Sequence, residues 1–139
     1  MALVRQHKGD TIEVNALATL GYSQTKIDSG IHYLQKGLLL AQELDYRKGE
    51  ADCFLKLAWL NNTQGNFGQS IQYALHALVI YEDLKQNDGI VTAHLTLQAV
   101  YRESGDYRNS LIHAISGQQI AEANGVIGKF VFPGHRIAP

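Results

Sequence analysis

Six histidines, one cysteine and three serines are the residues of this chain with the most chemistry to offer. The histidines are His7, His32, His76, His94, His113 and His135. No two stand three or four apart, the spacing that lets imidazoles on one helix face share a metal ion. His94 and His113 lie in apolar stretches and read as packing or interface residues. A single cysteine, Cys53, excludes an internal disulfide framework and a multi-thiolate metal site. It falls among core-facing positions and reads as an inert buried thiol. Ser29, Ser70 and Ser110 recur where small residues pack, which makes them packing residues ahead of nucleophiles. Gly125-Val126-Ile127-Gly128 follows a predicted helix where a phosphate loop follows a strand, and it lacks the later glycine and lysine. The sequon Asn61-Asn62-Thr63 lies inside a predicted helix, and Glu82-Asp83 reads as a solvated face. The expectation is no enzyme, no cofactor and no metal site.

The elements that hold these residues come from a repeat. At 139 residues the chain has the length of one domain, and 45% hydrophobic with 18% charged residues is a globular composition. A shift of forty aligns Leu17 with Leu57 and Leu97, and Leu20 with Leu60 and Val100. It also aligns Ile27, Phe67 and Tyr107, then Ile31, Ile71 and Leu111, then Leu34, Ala74 and Ala114. Within each unit these columns recur at three, four or seven residues, one face of a helix. Gln64-Gly65-Asn66-Phe67 and Ser104-Gly105-Asp106-Tyr107 each read as a helix stop followed by a capped start. In the first unit Thr25-Lys26-Ile27-Asp28 resembles a capping box. Gly49 and Gly89 read as the ends of second helices. Helices are therefore predicted near 10–23, 27–46, 50–64, 67–86, 90–104 and 107–124, and the fold class is all-α.

A hairpin of two amphipathic helices cannot cover its own apolar face, so each unit needs neighbours. The aromatic Phe67 or Tyr107 should pack back onto the first helix of its hairpin, with Ala74 and Ala114 at the close approach. The pattern Leu57-Ala58, Gly65-Asn66-Phe67, Ser70-Ile71, Ala74 and Ala77 resembles a tetratricopeptide repeat. Leu97, Gly105-Asp106-Tyr107, Ser110-Leu111 and Ala114 repeat it, and the first unit keeps Leu17-Ala18. Departures are the absent terminal prolines, Asn61 where an aromatic is usual, and a period of forty in place of about 34. The resemblance implies a right-handed α-α superhelix, a solenoid of about three hairpins over 9–48, 49–88 and 89–128. Residues 129–139 form a tail or a truncated fourth repeat. Val4 falls in the column of Leu44 and Leu84, so the N-terminus reads as the tail of a preceding second helix.

By the same resemblance the first helices line a concave groove that holds a partner's peptide or helix. The groove residues would be Asn15, Tyr22, Leu55, Trp59, Asn62, Leu95 and Arg102, joined by Thr19, Asp52, Thr92, Ala99 and Glu103. This set contains no lysine, and Asp52 and Glu103 would oppose an anion, which argues against a clamp for an acidic tail. Trp59, the one tryptophan, serves either the groove or the packing between first helices. The partner is a protein or peptide, which another domain of the same polypeptide can supply. The longer-helix variant implies a regulatory segment of a larger bacterial signalling protein. Two alternatives stand beside this reading: a structural spacer that forms a weak homo-oligomer, and a small-molecule sensor under Trp59. Twelve Lys and Arg against thirteen Asp and Glu give no basic excess for nucleic acid or an anionic membrane. With no bilayer-length apolar stretch and no secretory signal, the expected location is cytoplasmic.

Overall fold

A computed structural model describes the backbone of residues 2–23 and 26–124 and the side chains of 11–23 and 26–124. These residues form six helices and no strand: α1 (Ala2–Ser23), α2 (Ile27–Glu43), α3 (Arg47–Thr63), α4 (Phe67–Leu84), α5 (Asn87–Ser104) and α6 (Tyr107–Ala123). Consecutive helices pack on one another, α3 also packs on α1 and α5, and no other pair comes close among the described residues. Thr25, the Val4 side chain and the 129–139 tail lie outside the described residues; of the predicted capping box, Lys26 is the residue that caps α2, and it makes no side-chain capping bond.

The four turns from α2 onward are built alike. Backbone N–H groups of Tyr46, Asn66, Gln86 and Asp106 donate to the carbonyls of Ala41, Asn61, Tyr81 and Tyr101. Those of Asp45, Gly65, Lys85 and Gly105 donate to Gln42, Asn62, Glu82 and Arg102. This is the paired closure of a helix that ends on a left-handed residue, and these four have φ of 55, 82, 57 and 92°. They stand twenty residues apart, so the forty-residue unit is two helix-plus-turn steps of equal length. The structure thereby corrects the predicted stops. Gly49 and Gly89 do not end helices; they sit in the first turns of α3 and α5, and Asp45 and Lys85 make the stops. Nor does Gly9 mark a boundary, since α1 runs unbroken from Ala2. A helical glycine costs only about 1 kcal/mol and stops nothing without a left-handed residue and its paired bonds. At the starts, Asp106 accepts from the Asn109 N–H at 3.2 Å as a cap should, whereas Asn66 makes no capping bond.

Gly49 and Gly89 are instead packing positions. A Cβ on Gly49 would overlap the Tyr46 ring, and one on Gly89 would overlap the Tyr81 ring. Each ring lies across the glycine of one first helix and reaches the first helix before it. The Tyr46 hydroxyl donates to Asn15 Oδ1 at 3.2 Å, and the Tyr81 hydroxyl donates to the Asp52 carboxylate. These two tyrosine straps tie α1 to α3 and α3 to α5.

Two apolar clusters fill the interior. One gathers Val14, Ala18, Leu34, Ala41, Cys53 and Leu57 from α1, α2 and α3. The other draws on α3, α4 and α5, with Leu55, Ala74, Leu78, Tyr81, Ile90 and Leu97 among its members. Within hairpins the matched serines pin helix to helix: Ser70 donates to the Ala58 carbonyl at 2.5 Å and Ser110 to that of Gln98 at 2.9 Å. In the first hairpin Gly21 and Gly30 meet backbone to backbone at the equivalent place. Tyr107 departs from expectation, since it is 69% exposed and does not pack back onto α5.

The last hairpin holds a histidine pair, with His94 Nδ1 3.0 Å from His113 Nδ1 and the Tyr101 ring stacked on His113. One imidazole must donate and the other accept, so the accepting ring is neutral and the pair cannot both be charged. Burial, then the neighbouring His113, lowers the His94 pKa to about 4, and burial lowers that of His113. Unfolded imidazoles take up protons near pH 6.5. The pair's contribution is therefore full above pH 6.5, shrinks as the pH falls below it, and is lost once His94 titrates near 4. Between pH 7 and 5 the expected loss is about 1 kcal/mol after solvent screening is allowed for. Urea midpoints across that window should fall for the wild type and stay flatter for His94→Asn; equal slopes would discard the idea.

Candidate functional site

The first helices α1, α3 and α5 enclose a cleft of about 480 Å³. Tyr22 comes from the C-terminal end of α1, Leu55, Lys56 and Trp59 from successive turns of α3, and Thr92 from α5. The tyrosine strap sets the floor, where Tyr81 crosses Gly89 and meets Asp52. The Asp52 carboxylate is taken on both oxygens, by the Tyr81 hydroxyl and by Lys48 Nζ at 3.0 Å. The bond to Asp52 raises the Lys48 pKa against the opposing effect of burial. Burial first, and then the bond to Asp52, push the Tyr81 hydroxyl well above its ordinary range, so it keeps its proton. Lys56 Nζ stands 5.7 Å from the centroid of the Tyr22 ring, a cation–π arrangement. Around this polar centre, Tyr22, Trp59 and Leu55 supply aromatic and apolar wall.

Of the residues expected in the groove, Tyr22, Leu55 and Trp59 line the cleft, with Asp52 and Thr92. Asn15 does not; its side chain holds the Tyr46 strap. Asn62 is buried, and its Oδ1 has no partner among the described residues. Leu95 is half-buried and Arg102 exposed, and neither lines the cleft. The expectation of a groove without lysine fails, because Lys48 and Lys56 both line it. Sequence reasoning also missed Tyr81, Gln86, Asp88 and Gly89. The recurrence of Gly49 and Gly89 was the available signal, since a repeated glycine inside a helix marks a close approach. Cys53 is fully buried, and burial pushes its thiol up to about 12. No group of three or more His, Cys, Asp or Glu able to hold a metal ion occurs among the described residues.

The fold and cleft define an all-α protein of packed helical hairpins with a lined cleft on the side of its first helices. No protein-family model matches the chain, and no curated protein matches it. No described helix is long and apolar enough to cross a membrane.

Proposed function

We propose that the chain is a protein-interaction module whose hairpins form a right-handed superhelix of the tetratricopeptide kind, with a partner's peptide or helix held in the cleft. It serves as a regulatory segment of a larger protein. The observation that carries this reading is the cleft, which joins three first helices and sets an aromatic and apolar wall beside the Lys48–Asp52 pair and the Lys56 ammonium. Its 480 Å³ falls within the roughly 300–1,000 Å³ of ligand sites. Aromatic side chains flanked by polar groups are the composition of interaction hot spots. A mixed peptide suits this lining: an apolar side chain on Trp59 and Leu55, and polar groups toward Lys56 and Thr92. The same volume also admits a small metabolite, which is the second reading.

The sole tryptophan makes the test direct. Peptides selected by display against the chain should change Trp59 emission on binding. By calorimetry, Trp59→Ala should weaken them about 30-fold, the cost of losing a central aromatic anchor. Peptides that bind with unchanged emission and unchanged affinity for Trp59→Ala would remove the cleft as the working surface. A metabolite that raises the melting temperature when no peptide binds would favour the second reading.

A further inference from the structure

One stripe of α6 is more open than the same stripe of the other second helices. Tyr107 and Leu111 are 69% and 61% exposed, and Ala114 is half-buried. Their counterparts are Ile27, Ile31 and Leu34 on α2, and Phe67, Ile71 and Ala74 on α4. Of these, Leu34 and Ala74 are fully buried and the others half-buried. Steps of four and then three residues set each trio on one side of its helix. The difference lies in the neighbour. Ile31 and Leu34 pack in a cluster with Leu57 of α3, and Ile71 and Ala74 in one with Leu97 of α5, the next first helix in each case. Among the described residues α6 packs on α5 alone.

The sequence after α6 continues the step that built α3 and α5. Left-handed residues close helices at 45, 65, 85 and 105, and the next place in that series is Gly125. Phe130 falls in the column of Ile90, Val131 in that of Ala51 and Val91, and Ile137 in that of Leu57 and Leu97. All five of those counterparts are buried. A linked change points the same way. Gly49 and Gly89 leave room for the Tyr46 and Tyr81 rings, whose positions in the next step hold Val126 and Ala121. The glycine position there holds Lys129. Ring and glycine go together, since without a ring to admit the position needs no glycine. A helix from 127 to 139, rising about 1.5 Å per residue, reaches back along α6 as far as Leu111. Pro133 has no N–H for the carbonyl of residue 129 and kinks such a helix there.

We infer that the open stripe of α6 docks the chain's own residues 127–139, as α4 docks α5, with Ile137 against Leu111 and Ala114. The first helix of a second copy fits the stripe less well. Its α1 carries Glu13 in the column of Cys53 and Ala93, both fully buried, so that docking would bury a carboxylate. The stripe is separate from the cleft, and the inference does not depend on the peptide reading.

Disulfide trapping in the full chain provides the test, with the native Cys53 out of reach because it is fully buried. Ala114→Cys with Ile137→Cys should close a bridge within one chain. Ile112→Cys with Ile137→Cys is the control, because Ile112 and its counterparts His32 and Gln72 face solvent. The control should bridge about tenfold more slowly, since its two thiols meet only when the segment lifts away. Hydrogen exchange gives an independent reading that needs no new cysteine. Ile137→Asp should speed exchange of the α6 amides about tenfold and leave α3 and α4 unchanged. Equal bridging rates for the two pairs, or α6 exchange that ignores Ile137→Asp, overturns the inference. Bridges that join two chains, seen as a doubled mass, overturn it equally and give the stripe to a second copy.

Discussion

Leu57→Ala should lower the stability of the chain by about 3–4 kcal/mol, within the range for deleting a fully buried leucine. Leu57 is fully buried at the meeting of α1, α2 and α3, packed with Val14, Leu34 and Cys53. Three removed carbons leave a void that these neighbours cannot refill without moving backbone. The helix that bears it packs on four of the other five, so the loss is felt along the whole chain. Urea denaturation followed by helicity measures it. A loss under about 1 kcal/mol would mean that the site collapses freely and is not the packed interior described.

Gly89→Ala should destabilise by about 2–3 kcal/mol, although alanine is the better helix former by about 0.5–1 kcal/mol. The new methyl would overlap the Tyr81 ring, which is 4% exposed and tethered through its hydroxyl to Asp52. The ring can yield only by giving up that bond and opening the floor of the cleft. Gly68→Ala supplies the contrast, since a Cβ there meets nothing within 4 Å. It should leave stability unchanged or raise it by about 0.5 kcal/mol. Opposite signs for two alanines on exposed-looking first turns identify packing as the cause. Equal effects would place the ring elsewhere.

Helix number, order and type were legible because apolar columns at helical spacing recur with the forty-residue shift, and Gly65 and Gly105 mark true stops. The boundaries at 43–47 and 84–87 were not legible. Asp45 and Lys85 take the left-handed conformation that glycine favours, and nothing in their side chains announces it. The conspicuous glycines nearby therefore drew the stops toward themselves. Half the site was readable for the same reason. Tyr22, Leu55 and Trp59 follow from the face of a first helix, whereas Tyr81 enters from a second helix, through space that only Gly89 leaves open. Lys48 and Lys56 were missed because long side chains reach a cleft from flanking positions as well as from its central line. Arg102 and Leu95 carry interface-like chemistry, but they do not line the cleft.

The position of Cys53 gives the chain an internal stopwatch. A thiol attacks an alkylating reagent only as its anion, and Cys53 is sealed among α1, α2 and α3 with its proton held to about pH 12. Its labelling is therefore gated by the first hairpin, α1 and α2, opening away from α3. Trp59 sits six residues along the same helix, at the cleft wall. A single labelling trace thus times how often α3 lets go of α1 and α2, while tryptophan emission shows what occupies the cleft in the intervals between.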